Sequence, residues 1–353
     1  MRTFIFLPPL AKQTGGLAQL LQVAGHLIRE GFDVALVTHG DWNTPSLSAA
    51  AAFDVEKLTL SDVVVRRDDI WLAPEGWPNA MAPALDRCRV VVWCQNWAYL
   101  FSGLPEGVHW QNLPVSFLAV SRPVAWYIKE MVGASAHMLW PGIDQKSFHA
   151  PPVTPPGPPA IAWMPRKNKA LAHQIRAAVE SRRGKISGKP IRWVEIDGLA
   201  REDVAEVMRT CRLFLATGFP EGCALPPLEA MASGLFVVGF AGVGCWDYMR
   251  QAWQRDDYVI ETPYMVRESH GPASGQSRKG GNGFFVADAD VPAAALALCD
   301  ALELIESDDP RARAITKAGV ATARDYSLEA QARTVTALWR KAEQGELFPG
   351  PKK

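Results

Sequence analysis

Short apolar runs alternate with amphipathic helical stretches along this chain, and a proline-rich run near its middle divides the alternation into two series. Such alternation is typical of parallel α/β sheets, because parallel strands need a crossover connection that is usually a helix. Residues 151–159 read PPVTPPGPP, a stiff segment without helix or strand potential. A chain of 353 residues also exceeds the size at which a single core stops growing. The sequence therefore predicts two α/β domains.

The first series opens with a β-loop-α-β unit. Residues 3–7 form an apolar run that two prolines stop, and residues 32–38 form the next one. Between them, Gly15 and Gly16 precede a stretch with apolar residues on one helical face. A glycine-rich first turn of this kind begins doubly wound domains. Taken alone, the glycine pair fits a tight turn without a ligand equally well. Further strands are predicted at 69–72, 89–94, 116–120, 161–164, 192–196, 213–216, 236–240 and 283–286.

The second series contains a loop with two glutamates. Residues 218–234 read GFPEGCALPPLEAMASG, which places Glu221 in a Gly/Pro-rich loop and Glu229 on the helix after it. The proline pair suits the first turn of a helix, where no N–H is needed, and we expect Glu229 in that first turn. Gly222 would let backbone amides approach a ligand closely, and amides at a helix start bind phosphates. A carboxylate beside them suits sugar hydroxyls. The alternative is a helix N-terminus with two solvated glutamates.

This segment resembles the signature of retaining GT-B glycosyltransferases, especially family 4. The frame Glu-Gly-x-x-Leu-Pro-x-x-Glu-Ala-Met-Ala is present at every fixed position. The resemblance implies that Glu221 faces the donor sugar and that Glu229 holds the nucleotide ribose. It also implies a GT-B fold, with two Rossmann-like doubly wound domains facing a cleft that closes on binding. The donor-binding segment would include Gly222, Cys223, Ala224 and Leu225.

Two further places carry the resemblance. In family 4 a basic pair follows the first strand of the second domain and grips the donor diphosphate. Arg166 and Lys167 match that pair, and both side chains suit phosphate oxygens. An exposed basic turn is the alternative. A glycine pair matching Gly15 and Gly16 approaches the donor phosphate or the acceptor in that family.

One departure from the family concerns a histidine near the reacting sugar. Many members place it just after the strand that matches 89–94, whereas here Gln95 and Asn96 stand there. An amide can still bond a sugar hydroxyl. The resemblance implies a front-face transfer that needs no protein nucleophile, since the leaving phosphate can take the acceptor's proton. Gln95 and Asn96 are therefore candidate catalytic residues, with simple loop residues as the alternative. His109 is a poor substitute for the histidine.

Composition excludes several classes of protein. The formal net charge is zero, so nothing attracts the chain globally to nucleic acid. The six cysteines form no C-x-x-C pair and read as buried thiols. No apolar run approaches the roughly 20 residues of a membrane span, and the N-terminal run is too short for a signal peptide. We expect a cytoplasmic protein whose membrane contact is at most peripheral, at the inner face.

Two short patterns imitate ligand sites. Asp288 and Asp290 spell the Asp-x-Asp of metal-dependent glycosyltransferases of another fold, but they follow a strand and precede a helix. Asp290 is therefore predicted to be an N-cap, and no metal or other cofactor is expected. Residues 242–247 resemble a dinucleotide fingerprint, but an aspartate occupies the third glycine's place. A turn is predicted there, and a nicotinamide dehydrogenase is disfavoured.

The resemblance thus implies a retaining, metal-independent glycosyltransferase that uses a nucleotide-sugar donor and a glycan, lipid-linked or small-molecule acceptor. The alternatives are a GT-B sugar-nucleotide epimerase or hydrolase, and a non-catalytic protein that binds nucleotide sugars. The predicted parts are an acceptor domain (1–150), a linker (151–160), a donor domain (161–325), a helix crossing back to the first domain (326–344) and a disordered tail (345–353).

Overall fold

A computed structural model of the chain describes residues 1–186, 190–252 and 280–350. The chain divides into two compact units. The first unit comprises Met1–Gly142 with Leu328–Lys353, and the second comprises Ile143–Ser327. The division therefore lies at Gly142, before the proline-rich run at 151–159, which belongs to the second unit.

The first unit is built on a seven-stranded parallel sheet in the order β3-β2-β1-β4-β5-β6-β7. Its strands are β1 (Arg2–Phe6), β2 (Asp33–Thr38), β3 (Glu56–Thr59), β4 (Ile70–Pro74), β5 (Arg89–Cys94), β6 (Val115–Ala119) and β7 (Ala136–Met138). Its helices before the division are α1 (Gly15–Arg29) and α2 (Arg122–Val132). The central strands are buried along nearly their whole length, because helices cover both faces of such sheets.

The second unit is built on a five-stranded parallel sheet, whose order among the described residues is β12-β11-β10-β8-β9. Its strands are β8 (Ala160–Trp163), β9 (Arg192–Glu195), β10 (Leu213–Ala216), β11 (Phe236–Phe240) and β12 (Gly283–Val286). Its helices are α3 (Lys169–Ile186), α4 (Arg201–Arg209), α5 (Leu225–Ala232), α6 (Val291–Glu306) and α7 (Pro310–Arg324). Asp290 accepts the Ala293 N–H at 3.0 Å as the N-cap of α6, which confirms that prediction.

The order of strands creates one switch point in each sheet. Strand β1 lies between β2 and β4, so the chain leaves it in opposite directions, and β8 lies likewise between β9 and β10. Ligands of open α/β sheets bind at the carboxyl ends of the strands beside such a point. Ligand-binding residues are therefore expected in the loops that follow β1, β4 and β5 in the first unit, and in those that follow β8 and β10 in the second.

The last helix, α8 (Leu328–Glu343), belongs to the first unit. Its buried Trp339 donates from Nε1 to Thr3 Oγ1 at 2.8 Å, and its Gln331 bonds both Gln19 and His26 of α1. The prediction that the tail after it is disordered is wrong for residues 345–350, which the structure describes. Phe348 is buried and packs edge-on against Trp339, since an apolar ring is more stable out of water. Residues 351–353 lie outside the described part of the chain.

Candidate active site

Glu221 lies in the loop between β10 and α5, beside the switch point of the second unit. Its Oε1 is 2.8 Å from Lys167 Nζ, which also donates to the Pro220 carbonyl oxygen at 3.0 Å. Gly218 lies close to this carboxylate, because a Cβ atom there would be 2.9 Å from Glu221 Oε1. The structure thus brings Glu221 and the predicted basic pair together across the loops that follow β10 and β8.

A strained turn holds the backbone of Glu221 from both sides. The Glu221 N–H donates to the Gly242 carbonyl oxygen, and the Gly244 N–H donates to the Glu221 carbonyl oxygen, each at 3.0 Å. Between them Val243 has φ 68° and ψ −62°, the geometry of the rare γ-turn that β-branched residues seldom adopt. The prediction of a turn at 242–247 is confirmed. Strain of this kind persists only where the surroundings over-determine it.

Glu229 is buried on α5 and pairs with an arginine that sequence reasoning missed. Arg201, at the start of α4, places Nη2 3.1 Å from Glu229 Oε1, and its guanidinium lies over the Phe148 ring. Burial raises the pKa of Glu229, and the charge of Arg201 opposes that rise. The prediction that Glu229 lies in the first turn of α5 is wrong. The helix begins at Leu225, one residue before the proline pair, so Glu229 is its fifth residue and lies in the second turn.

The start of α5 is held by the turn that follows Gly244. The Ala224 N–H donates to Cys245 Sγ at 3.1 Å, and the Tyr248 hydroxyl donates to the Ala224 carbonyl oxygen at 2.8 Å. A Cβ atom at Gly244 would lie 1.9 Å from the Gly222 carbonyl oxygen, so the turn touches the loop directly. Gly222 and Ala224, two of the four predicted donor-binding residues at 222–225, are therefore held against this turn.

Arg166 and Asn168 complete this edge of the second unit. The Arg166 side chain is exposed and makes no hydrogen bond or ion pair within the described residues. Asn168 has φ 58° and donates from Nδ2 to the Thr217 carbonyl oxygen at 2.8 Å, which ties the loop after β8 to the loop after β10. Asparagine tolerates this left-handed conformation better than most residues. A small cavity of about 50 Å³ is lined by Arg166, Lys167, Glu221 and neighbouring residues.

Gly15, Gly16, Gln95 and Asn96 come together beside the switch point of the first unit. Both glycines are the first residues of α1, with Thr14 as N-cap. A Cβ atom at Gly16 would lie 2.9 Å from Gln95 Oε1, so the two residues are in contact. The Asn96 side chain is buried, and its Oδ1 accepts the Ala98 N–H at 3.1 Å. His109 is exposed and caps a separate short turn.

Glu75, which sequence reasoning missed, lies directly after β4 in the same place. It is 4% exposed, and its two carboxylate oxygens accept the N–H groups of Gln95 and Asn96 at 3.0 Å and 2.8 Å. Burial raises the pKa of Glu75 to about 7, and these N–H donors oppose the rise. A carboxylate immediately after a buried strand was the available signal. Its partners lie twenty residues further along the chain, so the sequence did not show the contact.

Other features of the described residues have a structural explanation. All six cysteines are free, as predicted. Asp288 accepts the Gly242 N–H at 2.8 Å, and burial raises its pKa. No group of three or more metal-ligating side chains occurs in the described ranges.

A larger cavity of about 530 Å³ borders Ala252 and Gly280, on either side of the undescribed residues 253–279, and contains no predicted site residue. None of the helices described combines the length and apolar character needed to traverse a bilayer.

Comparison with known proteins gives no matching family model. One curated relative, an alpha-1,6-glucosyltransferase of Actinobacillus pleuropneumoniae, is 46% identical to the chain over 52 residues. That stretch is 15% of this chain and 16% of the relative. The match therefore covers a small part of either protein.

Solved structures match nearly the whole chain. A glycosyltransferase of Rickettsia africae has a TM-score of 0.66 at 12% identity, covering 97% of this chain and 98% of its own. The catalytic domain of starch synthase IV of Arabidopsis thaliana, bound to ADP and acarbose, has a TM-score of 0.57 at 13% identity, covering 97% and 99%. The predicted fold class is confirmed: the chain has the two-domain, Rossmann-like GT-B fold of glycosyltransferases.

Proposed function

We propose that this protein is a metal-independent glycosyltransferase of the family 4 type, which transfers a sugar from a nucleotide-sugar donor to an acceptor with retention of configuration. The observation that carries the proposal is the loop-helix segment with Glu221 and Glu229. Each of its carboxylates pairs with a cation, Lys167 and Arg201 respectively, at the carboxyl edge of one sheet. Fixed carboxylates and cations side by side suit a ligand that carries both hydroxyl groups and phosphates.

The contacts suggest a role for each donor-binding residue. Arg166, exposed and without a partner in the described ranges, would grip the diphosphate as a bidentate donor. Lys167 would share its ammonium group between Glu221 and a phosphate oxygen, as its three N–H donors allow. Glu221 would face the donor sugar, and Glu229 would bond the ribose hydroxyls. The amides of Gly222, Cys223 and Leu225 make no hydrogen bond within the described residues and could meet an anion.

The chemistry follows from this placement. The bond between the anomeric carbon and the donor phosphate oxygen breaks, and a bond to the acceptor oxygen forms on the same face of the sugar. The acceptor hydroxyl proton passes to the departing diphosphate, so no protein base is required. Charge develops on that diphosphate in the transition state, and fixed cations stabilise such charge most effectively. Arg166 and Lys167 would supply this stabilisation.

The acceptor would bind at the switch point of the first unit. Gln95 and Asn96 offer amides for sugar hydroxyls. Tyr99 and Phe101 follow them and are 50% and 42% exposed, and exposed aromatic rings stack on sugars. These features favour a carbohydrate acceptor. The partial likeness to a glucosyltransferase makes glucose the first donor sugar to test.

A thermal-shift screen against UDP-, GDP-, ADP- and TDP-sugars tests the proposal. A ligand that binds only the native state raises the melting temperature. We expect one nucleotide series to raise it, and Glu229→Ala to reduce the shift. Glu195→Gln is the matched control, because this exposed carboxylate of the second unit pairs with Lys169 but lies outside the glutamate segment. Absence of a shift with every nucleotide sugar would contradict the proposal.

A further inference from the structure

Glu75 is a buried carboxylate without a compensating cation in the described ranges. It makes no ion pair there, although it is 4% exposed. Burying an ionised carboxylate costs free energy unless charges or hydrogen bonds compensate it. Here the compensation comes from backbone N–H groups, those of Gln95, Asn96 and Glu75 itself. Because each carboxylate oxygen accepts one of these N–H groups, Glu75 holds the backbone that follows β5.

The contacts of Glu75 connect three strand ends. Its carboxylate, after β4, accepts two consecutive N–H groups after β5, from Gln95 and Asn96. The Gln95 side chain in turn lies against Gly16, which follows β1. Gly103 packs closely against Gly76, the residue after Glu75, because a Cβ atom there would lie 2.9 Å from the Gly76 carbonyl oxygen. One carboxylate thus holds the backbone from which both side-chain amides of the proposed acceptor site extend.

We infer that Glu75 is a positioning residue that fixes the segment Gln95–Asn96 for binding the acceptor. The inference rests on the proposed function for its catalytic meaning, and on the hydrogen bonds alone for its structural part. Both oxygens of the ionised carboxylate accept N–H groups. A protonated carboxyl keeps one oxygen as a full acceptor and turns the other into a donor, so it holds one amide less well.

The positioning should therefore depend on pH. Ionisation of Glu75 completes both hydrogen bonds, and the pKa of about 7 places this change near neutrality. The titratable group coupled to it in the described residues is the Cys94 thiol of β5, whose pKa burial raises well above its usual range, with the charge of Glu75 adding to the rise. That thiol therefore stays neutral near pH 7, and a change of charge at this place near neutral pH is attributed to Glu75.

Kinetics distinguish positioning from a purely structural role. We expect Glu75→Gln to lower kcat/KM for the acceptor about tenfold, through loss of one charge-assisted hydrogen bond. The nucleotide affinity of the second unit should not change. The rise in kcat/KM for the acceptor through pH 7 should disappear in this variant and persist in Glu75→Asp, which keeps a carboxylate. Glu130→Gln is the control, since Glu130 is an exposed carboxylate of the first unit. An unchanged limb in Glu75→Gln would overturn the inference.

Nuclear magnetic resonance tests the contact without any activity. In protein labelled with ¹⁵N at glutamine and asparagine, the backbone amide signals of Gln95 and Asn96 should shift together with a common midpoint near pH 7. The titration should vanish in Glu75→Gln. If the chemical shifts of both backbone amides in the wild-type protein did not change between pH 5.5 and 8.5, the inference would be overturned, whatever the variants do. Failure to find any transfer would instead refute the proposed function, and the amide titration would still decide the role of Glu75.

Discussion

The candidate residues of the two units differ in their electrostatics, with a charged half in the second unit and a neutral half in the first. In the second unit, Glu221 and Glu229 face cations, and the strained turn at Val243 fixes the loop. In the first unit, Gln95 and Asn96 present neutral amides, and the charge lies behind them on Glu75. The proposed function assigns a charged ligand to the second unit and a neutral one to the first. A nucleotide sugar and a carbohydrate acceptor differ in this same way.

The largest effect should come from the charged half. Glu221→Gln removes the carboxylate proposed to face the donor sugar and leaves the Lys167 ammonium without its ion pair. We expect turnover to fall about 10²–10³-fold, the range for loss of one electrostatic group in a transition state. Steady-state kinetics measure this, with Glu195→Gln as control. A fall below tenfold would mean that this carboxylate does not act on the reacting sugar.

The next effect concerns stability in the neutral half. The pKa of Glu75, about 7 in the folded chain, lies above its ordinary value of 4.5. The folded state therefore holds this proton more tightly, so the stabilisation is complete below pH 4.5 and is lost as pH rises through 7. We expect wild type to lose about 2–3 kcal/mol more than Glu75→Gln between pH 5 and 8. Urea unfolding at both pH values measures this. Parallel losses in the two proteins would contradict it.

Glu229→Ala tests the second charged pair. The nucleotide would lose a carboxylate bonded to its ribose, which corresponds to about 1.5–3 kcal/mol for a charge-assisted bond. Calorimetry with the free nucleoside diphosphate measures the loss. Arg201→Gln serves as the companion variant, because it leaves the buried carboxylate in place without its partner. If Glu229→Ala bound the nucleotide as well as wild type, the ribose role would be wrong.

The smallest expected effect is the loss of stability on substituting Gly16 of the first unit, which we compare with the loss at Gly244 of the second. A Cβ atom at Gly16 would meet the end of the flexible Gln95 side chain at 2.9 Å, whereas one at Gly244 would meet the Gly222 carbonyl oxygen at 1.9 Å. Gly16→Ala should therefore cost less than about 1 kcal/mol of stability, since a side chain can move aside. Thermal unfolding of both variants measures this, and Gly244→Ala should be clearly the less stable. Equal losses would mean that the acceptor loop is as rigid as the donor loop.

The two halves also differed in how far the sequence revealed them. The donor segment is contiguous, so residues 218–234 showed both glutamates and the helix that carries one of them. Its supports were hidden, because Arg201 is 28 residues from Glu229 in the chain and nothing local links the two. The acceptor half is assembled from three separate loops. Gln95 and Asn96 were proposed from their place after β5, but the contact with Glu75 depends on a strand order that periodicity does not give.

The same limit applies to the fold. Buried strands such as β5 and β10 were predicted with correct bounds, because their apolar runs are continuous. Strand β3, which reads EKLT, escaped prediction since an edge strand has few buried positions. The burial of Phe348 was missed because a short terminal segment has no periodic pattern. Its burial follows from contact with Trp339, which the sequence does not show.

A transfer assay tests the central claim most directly. The wild-type protein is incubated with the nucleotide sugar that gives the largest thermal shift and with a panel of oligosaccharide acceptors, and proton magnetic resonance follows the anomeric signals. We predict one nucleoside diphosphate released for each new glycosidic signal, with the anomeric configuration of the donor. A free epimer or hydrolysed sugar formed without acceptor would contradict the account, and so would tight binding of the nucleotide sugar without turnover on any acceptor.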